Sequence, residues 1–167
     1  MEDKSQFAGF WKRFAAYCLD CTIVSIGMLI LLLPLGIGLQ MFMGMLHFDG
    51  MTKAVIGRVF MFLIGMPIWI AYFAIFEASA KQATPGKMAL GIVVTDANGA
   101  PIGIGRAIGR QFGRILSGLF LNLGYIICGF TARRQCVHDM LAGTLVVNKD
   151  APLRLGMKKD EYLIPPV

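Results

Sequence analysis

The sequence predicts an all-α membrane protein with two full transmembrane helices, a third helical region and a short β pairing on the cytoplasmic side. Three observations favour this fold class. Hydrophobic residues make up 56% of the 167 residues and charged residues only 16%, against about 25% in a typical soluble domain. The mean hydropathy is +0.66, and two apolar runs exceed the roughly 20 residues that a helix needs to cross a bilayer. The length suits one domain, which we place at residues 1–150, followed by a peripheral tail at 151–167.

The first transmembrane helix is predicted at residues 10–33. Trp11 and Tyr17 stand near its start, where aromatic side chains anchor helices at the membrane surface. The run is too long for a secretory signal and contains Asp20, so we interpret it as an uncleaved span. Basic residues precede it, which predicts a cytoplasmic N-terminus.

The second transmembrane helix is predicted at residues 55–78, after a Met-rich connector at 40–54. Pro67 falls near the middle of this span and removes one backbone donor, so a kink is expected there. Glu77 closes the span, and Lys81 follows one turn later at a spacing that favours an ion pair along a helix.

Two short segments have the composition of β-strands. Residues 92–95 read IVVT and precede the turn sequence DANG, and residues 144–147 read TLVV near the C-terminus. We expect these segments to pair as a small sheet at the membrane surface.

The third helical region covers residues 103–130, and its apolar second half at 115–130 is shorter than a full span. Two arrangements remain open: one tilted crossing that includes the arginine-bearing turns, or a helical hairpin or re-entrant fold. Basic residues lie on both sides of the apolar half, and such residues stay in the cytoplasm. We therefore favour the hairpin, which gives a multi-pass protein of the cytoplasmic (inner) membrane with its C-terminus also in the cytoplasm.

Basic residues give the chain a net charge of +6 and a pI near 9.4. No nucleic-acid-binding motif accompanies them, so we exclude nucleic acid as a partner and interpret the charges by the orientation rule of membrane proteins. The alternative is that one arginine pairs with an intramembrane carboxylate. Contact with anionic lipid headgroups is expected for Lys87, Arg106, Arg110, Arg114, Arg133 and Arg134.

Small residues recur every four positions in the third helical region, at Gly105, Gly109, Gly113 and Ser117. Small residues at that spacing let helix backbones approach closely in lipid. The stripe predicts a helix-packing face and, through it, a homo-oligomer.

Three segments carry a resemblance to a known family. They are GFWKRF at residues 9–14 with Asp20 after it, Glu77 leading into TPGK at 84–87, and RRQCVHDMLAGT at 133–144. In this order and spacing they closely resemble the RDD family of small prokaryotic membrane proteins. The resemblance runs from about residue 7 to 148, and therefore covers nearly the whole chain.

The resemblance assigns the arginine and the two aspartates of the family name to Arg13, Asp20 and Asp139. The family is thought to be transport-related, and sodium/proton antiport has been associated with it. The resemblance thus implies a small transporter-like protein that exchanges a monovalent cation for a proton. The expected ion-binding or proton-coupling residues are Arg13, Asp20, Glu77, His138 and Asp139.

Two interpretations of these charges remain open. In the first, Asp20 exchanges a proton for a cation, and His138, a residue type that titrates near neutral pH, relays protons. In the second, Arg13, Asp20 and Asp139 form a buried ion-pair lock that specifies packing without transporting anything. The second interpretation suits an accessory or assembly subunit of a membrane complex.

Catalysis is not predicted. The arginines could bind the phosphate of a lipid, but no nucleophile, metal-ligand set or glycine-rich phosphate loop accompanies them in the sequence. We therefore expect a protein that is not an enzyme and that carries neither cofactor nor metal.

Overall fold

Two long helices dominate the structure, a computed structural model that describes residues 4–119, 131 and 133–150. Helix α1 is Phe10–Met45 and helix α2 is Gly50–Ala78, and both are long and apolar enough to cross a membrane. The two predicted long apolar helices are therefore confirmed, and each extends beyond its predicted bounds. The predicted tail at 151–167 lies outside the described residues.

The predicted connector at residues 40–54 is wrong in extent. Most of it is helical, and the chain turns only between Met45 and Gly50. Methionine and leucine favour helix, and Asp49 accepts hydrogen bonds from the N–H groups of Met51 (2.9 Å) and Thr52 (3.0 Å). This capping starts α2 five residues earlier than hydropathy alone predicts.

The described chain divides into two units, one of which comprises residues 21–72. This unit is a helical hairpin, in which the Met61 methyl group packs at Gly36 and the Gln40 amide packs at Gly57. Large apolar side chains such as Ile30 and Leu63 are 71% and 64% exposed. A surface of this kind suits contact with lipid.

The other unit comprises residues 1–20 and 73–167 and holds the remaining elements. They are helix α3 (Pro85–Ala89), strand β1 (Ile92–Asp96), helix α4 (Ile104–Leu119), helix α5 (Val137–Ala142) and strand β2 (Thr144–Asn148). A short 3-10 turn, Lys4–Gln6, precedes α1. Strands β1 and β2 pair antiparallel, with Val94 opposite Val146, so the predicted β pairing is confirmed.

The sheet restricts how the chain crosses a membrane. Phe7 bridges Val147, and the N–H of Ala8 donates to the carbonyl of Val146 at 3.0 Å. The N-terminal segment, β1 and β2 therefore share one side of the membrane. The predicted choice between a hairpin and a single tilted span falls on residues 120–130, outside the described residues.

Helix α4 buries its polar face and exposes its apolar face. Arg110, Gln111 and Ser117 are at most 4% exposed, whereas Ile104 and Phe112 are 50% and 56% exposed. This arrangement is the reverse of a water-soluble amphipathic helix and is typical of a helix whose outer side meets lipid.

Candidate functional site

Buried charges converge in the unit that holds the sheet. Eight polar side chains meet there, and each has a fractional exposure of 11% or less. Burial of so many ionised groups is tolerated only when they pair with one another. We call this set the charged cluster: Arg13, Asp20, Glu77, Lys87, Arg110, Arg114, His138 and Asp139.

Asp139 binds two guanidinium groups from different helices. Arg13 Nη1 lies 2.5 Å from its Oδ2, and Arg110 Nε lies 2.9 Å from its Oδ1. The N–H of Cys136 also donates to Oδ2 at 3.3 Å, which caps the start of α5. Burial alone would raise the pKa of Asp139, but Arg110 and Arg13 outweigh it and hold that pKa well below its usual range.

Arg13 connects three segments that are distant in sequence. Besides Asp139, its Nε donates to the carbonyl of Ala8 at 3.0 Å, and its Nη2 donates to the carbonyl of Val146 at 3.3 Å. A planar guanidinium with several donors suits such a junction better than lysine does. Arg13 therefore holds α1, β2 and α5 together.

Asp20 contacts the start of α3. Thr84 Oγ1 donates to its Oδ2, and the N–H of Gly86 donates to its Oδ1 at 2.7 Å. A Cβ atom on Gly86 would lie 2.4 Å from the Ala16 carbonyl oxygen and 2.8 Å from the Asp20 carboxyl. The TPGK segment thus allows the backbone to approach α1 closely enough for Asp20 to cap α3.

Glu77 accepts contacts from three cations and an amide. Lys87 Nζ lies 2.5 Å from its Oε1, while Arg110 Nη1 lies 3.3 Å from its Oε2 and Arg114 Nη2 lies 3.5 Å from its Oε1. Gln111 Nε2 donates to Oε2 at 3.2 Å. Burial, partly offset by Glu77, lowers the pKa of Lys87 to about 8.

A cavity of about 40 Å³ lies within the charged cluster. Aromatic and apolar side chains form part of its wall, including Phe10, Tyr17 and Phe73. Its charged lining residues are Arg13, Asp20, Lys87, Arg110 and Arg114. This volume holds a few water-sized groups, since one water needs roughly 10–15 Å³.

Comparison with known proteins shows which family the chain belongs to. The family model described as "RDD family" matches residues 7–143, which include Arg13, Asp20 and Asp139. The chain belongs to the RDD family. Both aspartates of this RDD protein cap short helices, and its arginine binds the second aspartate directly.

Two relatives from Bacillus subtilis (strain 168) match most of this RDD chain. One, named "Uncharacterized protein YxaI", is 33% identical over 151 residues, which are 85% of this chain and 97% of that protein. The other, named "Uncharacterized membrane protein YteJ", is 29% identical over 147 residues, which are 86% of this chain and 82% of that protein. No solved structure matches.

Arg13 and Asp20 line one cavity and Asp139 binds Arg13 behind it, but the contacts differ from the simplest expectation. Arg13 pairs with Asp139, while Asp20, which shares a helix face with Arg13, contacts Thr84 and Gly86. Glu77 also differs from expectation, because it pairs with Lys87 instead of Lys81. The chain leaves α2 after Ala78, so the helical spacing to Lys81 is never realised.

Three of the basic residues expected at lipid headgroups point inward in the structure: Lys87, Arg110 and Arg114. Their side chains are at most 10% exposed, because they neutralise Glu77 and Asp139 and leave the apolar face of α4 outside. Arg106 is 58% exposed and lies 3.5 Å from Asp96. Arg133 and Arg134 are half-buried, and Arg134 donates to the Phe7 carbonyl at 3.2 Å.

His138 is buried beside Asp139, with Nε2 3.5 Å from Oδ1. Burial, together with Arg114, Arg110 and Arg13, lowers the pKa of His138 to about 3, although Asp139 opposes this. The imidazole is therefore neutral at physiological pH. A proton relay through His138 stays a prediction, and a pKa this far below neutrality disfavours it.

The glycines of the α4 stripe have two different environments, one packed and one open. A Cβ on Gly113 would lie 3.1 Å from the Cβ of His138, so this glycine allows α5 to pack on α4. Gly105 and Gly109 have open space where a Cβ would stand. The predicted packing role therefore applies within the described chain to Gly113.

Within the described part of the chain, three residues could supply ligand atoms to a metal ion. The ligand atoms of Cys136, His138 and Asp139 lie within 4.8 Å of one another. However, Arg13 and Arg110 already bind the Asp139 carboxylate, and two adjacent cations disfavour a metal ion there. The arrangement suits ion pairing better than metal binding.

Sequence reasoning missed Thr84, Gly86 and Gln111 as partners of the cluster, although the TPGK motif that contains the first two contributed to the family resemblance. A turn motif does not indicate which distant carboxylate it will bind. The four-residue spacing of Arg106, Arg110 and Arg114 was a usable signal, because it places them on one helix face. Arg110 and Arg114 face inward.

Proposed function

We propose that this RDD protein is a membrane-embedded accessory or assembly module whose charged cluster locks its fold. The observation that supports this most directly is that each carboxylate of the cluster already accepts bonds from donors on other elements. Asp139 binds Arg13 and Arg110, Glu77 binds Lys87, and Asp20 caps α3. Groups held in this way specify packing and have little freedom to exchange ions.

The lock is tested by a double-mutant cycle on Arg13 and Asp139. Arg13→Gln and Asp139→Asn should each lower the free energy of unfolding by about 3–5 kcal/mol, because each leaves a buried charge with fewer partners. The double variant should lose less than the sum of the two, since both charges are removed together. Thermal unfolding in detergent measures this; strictly additive losses would contradict the lock.

An assembly role also needs a surface for a partner, and α4 offers one. Gly105 and Gly109 leave an open strip on this helix, where another helix can approach closely. Gly109→Leu should release a stoichiometric partner during purification from native membranes, while the melting temperature stays unchanged. Loss of the partner from wild-type protein as well, leaving a lone homo-oligomer, would contradict the assembly role.

Monovalent cation/proton exchange is the second candidate, and one observation favours it. Asp20 and Lys87 both line the cavity, whose volume admits water, and the pKa of Lys87 is lowered to about 8. A chain with so few spans would need a homo-oligomer to form a pathway. In liposomes, Na⁺ or K⁺ should then dissipate a pH gradient through wild-type protein but not through Asp20→Asn. Equal behaviour of both proteins would exclude this candidate.

We also propose that the unit holding the sheet lies in the cytoplasm. The shared side of the N-terminal segment, β1 and β2 supports a common location for both described ends. The basic residues around them favour the cytoplasmic side by the orientation rule.

A further inference from the structure

The charges that line the cavity are unequal in sign. Four cations border it, namely Arg13, Lys87, Arg110 and Arg114, against a single lining carboxylate, Asp20. Glu77 and Asp139 contact these cations without lining the cavity. The four cations and three carboxylates of the cluster leave one positive charge uncompensated. The cavity is therefore a positively charged space.

Arg114 has hydrogen-bond donors to spare at this cavity. Its guanidinium carbon lies 4.8 Å from the ring centre of Phe73 and 5.5 Å from that of Tyr17. Its closest carboxylate contact is the long one to Glu77, at 3.5 Å. Among the described residues, its Nε and Nη1 atoms are buried and have no hydrogen-bond partner. A side chain that is 90% buried with two unused N–H groups is costly unless an acceptor is supplied.

We propose that this cavity binds one monovalent inorganic anion of halide size, with Arg114 as its principal ligand. The anion accepts hydrogen bonds from the unused donors of Arg114 and neutralises the excess positive charge. The volume of about 40 Å³ accommodates such an ion. Aromatic side chains form part of the wall, and their low polarity strengthens the attraction between the ion and the guanidinium groups.

A water molecule or a lipid phosphate fits these observations less well. Water would accept from Arg114 but would leave the charge uncompensated. A lipid phosphate carries a glycerol backbone and acyl chains that a cavity of this volume does not hold. A small free anion satisfies the charge, the donors and the volume together.

The test is a titration of purified protein in uncharged detergent. Chloride, bromide or nitrate is raised from micromolar to about 100 mM against gluconate, so that ionic strength and screening stay constant. The melting temperature of the wild-type protein should rise and saturate, because a ligand of the folded state stabilises it. A melting temperature that does not change with the small anion would overturn the proposal.

Variants of two arginines on α4 locate the effect. Arg114→Gln should weaken the apparent affinity for bromide by at least about tenfold, because charge-assisted hydrogen bonds are lost. Arg106→Gln is the matched control, since Arg106 is 58% exposed and pairs with Asp96; its affinity should stay unchanged. If Arg114→Gln fails to fold, Arg114→Lys keeps the charge and removes Nε and Nη1. An unchanged affinity in the Arg114 variant would overturn the assignment.

A second experiment distinguishes binding of a free anion from binding of a lipid headgroup. Wild-type protein is reconstituted in vesicles of phosphatidylcholine alone, or with phosphatidylglycerol added, and the bromide titration is repeated. A similar saturable response in both vesicles supports a free inorganic anion. A response to phosphatidylglycerol that replaces the bromide response would overturn it in favour of the lipid phosphate.

Discussion

Individual residues in this protein act by allowing or completing contacts between distant segments. Gly86 has no side chain at the point where α3 meets α1, and Asp20 uses that space to accept the Gly86 N–H at 2.7 Å. Asp139 performs the corresponding task for α5, through the N–H of Cys136. Each aspartate thus caps a short helix that could not form stably by itself.

Substitution of Gly86 by alanine should be destabilising. The added Cβ would lie 2.4 Å from the Ala16 carbonyl oxygen, a backbone atom that cannot move without shifting α1. We expect a loss of about 1–3 kcal/mol in the free energy of unfolding. Gly105→Ala is the control, because that glycine has open space around it. Calorimetry of the detergent-solubilised protein measures both; equal melting temperatures would contradict the close approach.

His138 should make the fold sensitive to acid. Its pKa falls from 6.5 to about 3 on folding, so between these values the unfolded chain binds a proton that the folded chain does not. Stability is therefore fully present above pH 6.5 and decreases as the pH falls, by up to about 1.4 kcal/mol per pH unit.

His138→Gln should flatten this dependence between pH 7 and 4.5. The carboxyl of Asp139, whose pKa lies below its ordinary value, remains ionised across that range and contributes equally to both proteins. His47→Asn is the control, because His47 is exposed on the turn between α1 and α2. Melting curves at several pH values distinguish the variants. A wild-type melting temperature independent of pH would refute the burial of a neutral His138.

At the scale of elements, α4 shows how a lipid surrounding determines which face of a helix points inward. Its arginines neutralise Glu77 and Asp139 inside, and Ile108, Phe112 and Leu116 face outward. An apolar side chain can face lipid at no cost in free energy. A charged side chain that faces lipid loses its hydration, which costs free energy. The helix is therefore stable only with its polar face inward.

Spin labels on α4 should report this orientation. A label at Phe112→Cys should be accessible to oxygen, which partitions into lipid, and protected from a water-soluble paramagnetic reagent. A label at Arg106→Cys should show the reverse, because Arg106 is exposed beside Asp96. Electron paramagnetic resonance of both variants in vesicles measures the accessibilities. Equal access of the aqueous reagent to both labels would contradict a lipid-facing α4.

At the scale of the whole molecule, the β pairing brings together segments that are distant in sequence. Helices α1 and α2 lie between Phe7 and β1 along the chain. Phe7, β1 and β2 share one side of the membrane, whichever side that is. Two crossings by α1 and α2 fit this requirement. The turn between α1 and α2 is then expected on the opposite side.

Cysteine labelling tests this arrangement in intact cells. In a cysteine-free background, Phe48→Cys should react with a membrane-impermeant maleimide from outside. Lys149→Cys, next to β2, should react only after the membrane is permeabilised. Reaction of both cysteines from the same side would contradict two crossings, and a reversed pattern would contradict only the cytoplasmic assignment.

The amino-acid sequence by itself determined the membrane class, the two long apolar helices, the strand segments and the three family-name residues. These properties follow from local composition and from motifs, because a run of apolar residues partitions into lipid whatever its neighbours do. Helix ends were less well predicted, since Asp49 capping and helix propensity extended α1 and α2 beyond their most apolar parts.

Only the tertiary structure decided which charges meet. Arg13 and Asp139 are 126 residues apart, and Asp20 and Gly86 are 66 residues apart. Every buried charge needs a partner, so which groups pair depends on all the buried charges together. A local sequence pattern does not contain that information. The same competition turned Lys87, Arg110 and Arg114 inward, away from the lipid that their sequence pattern suggested.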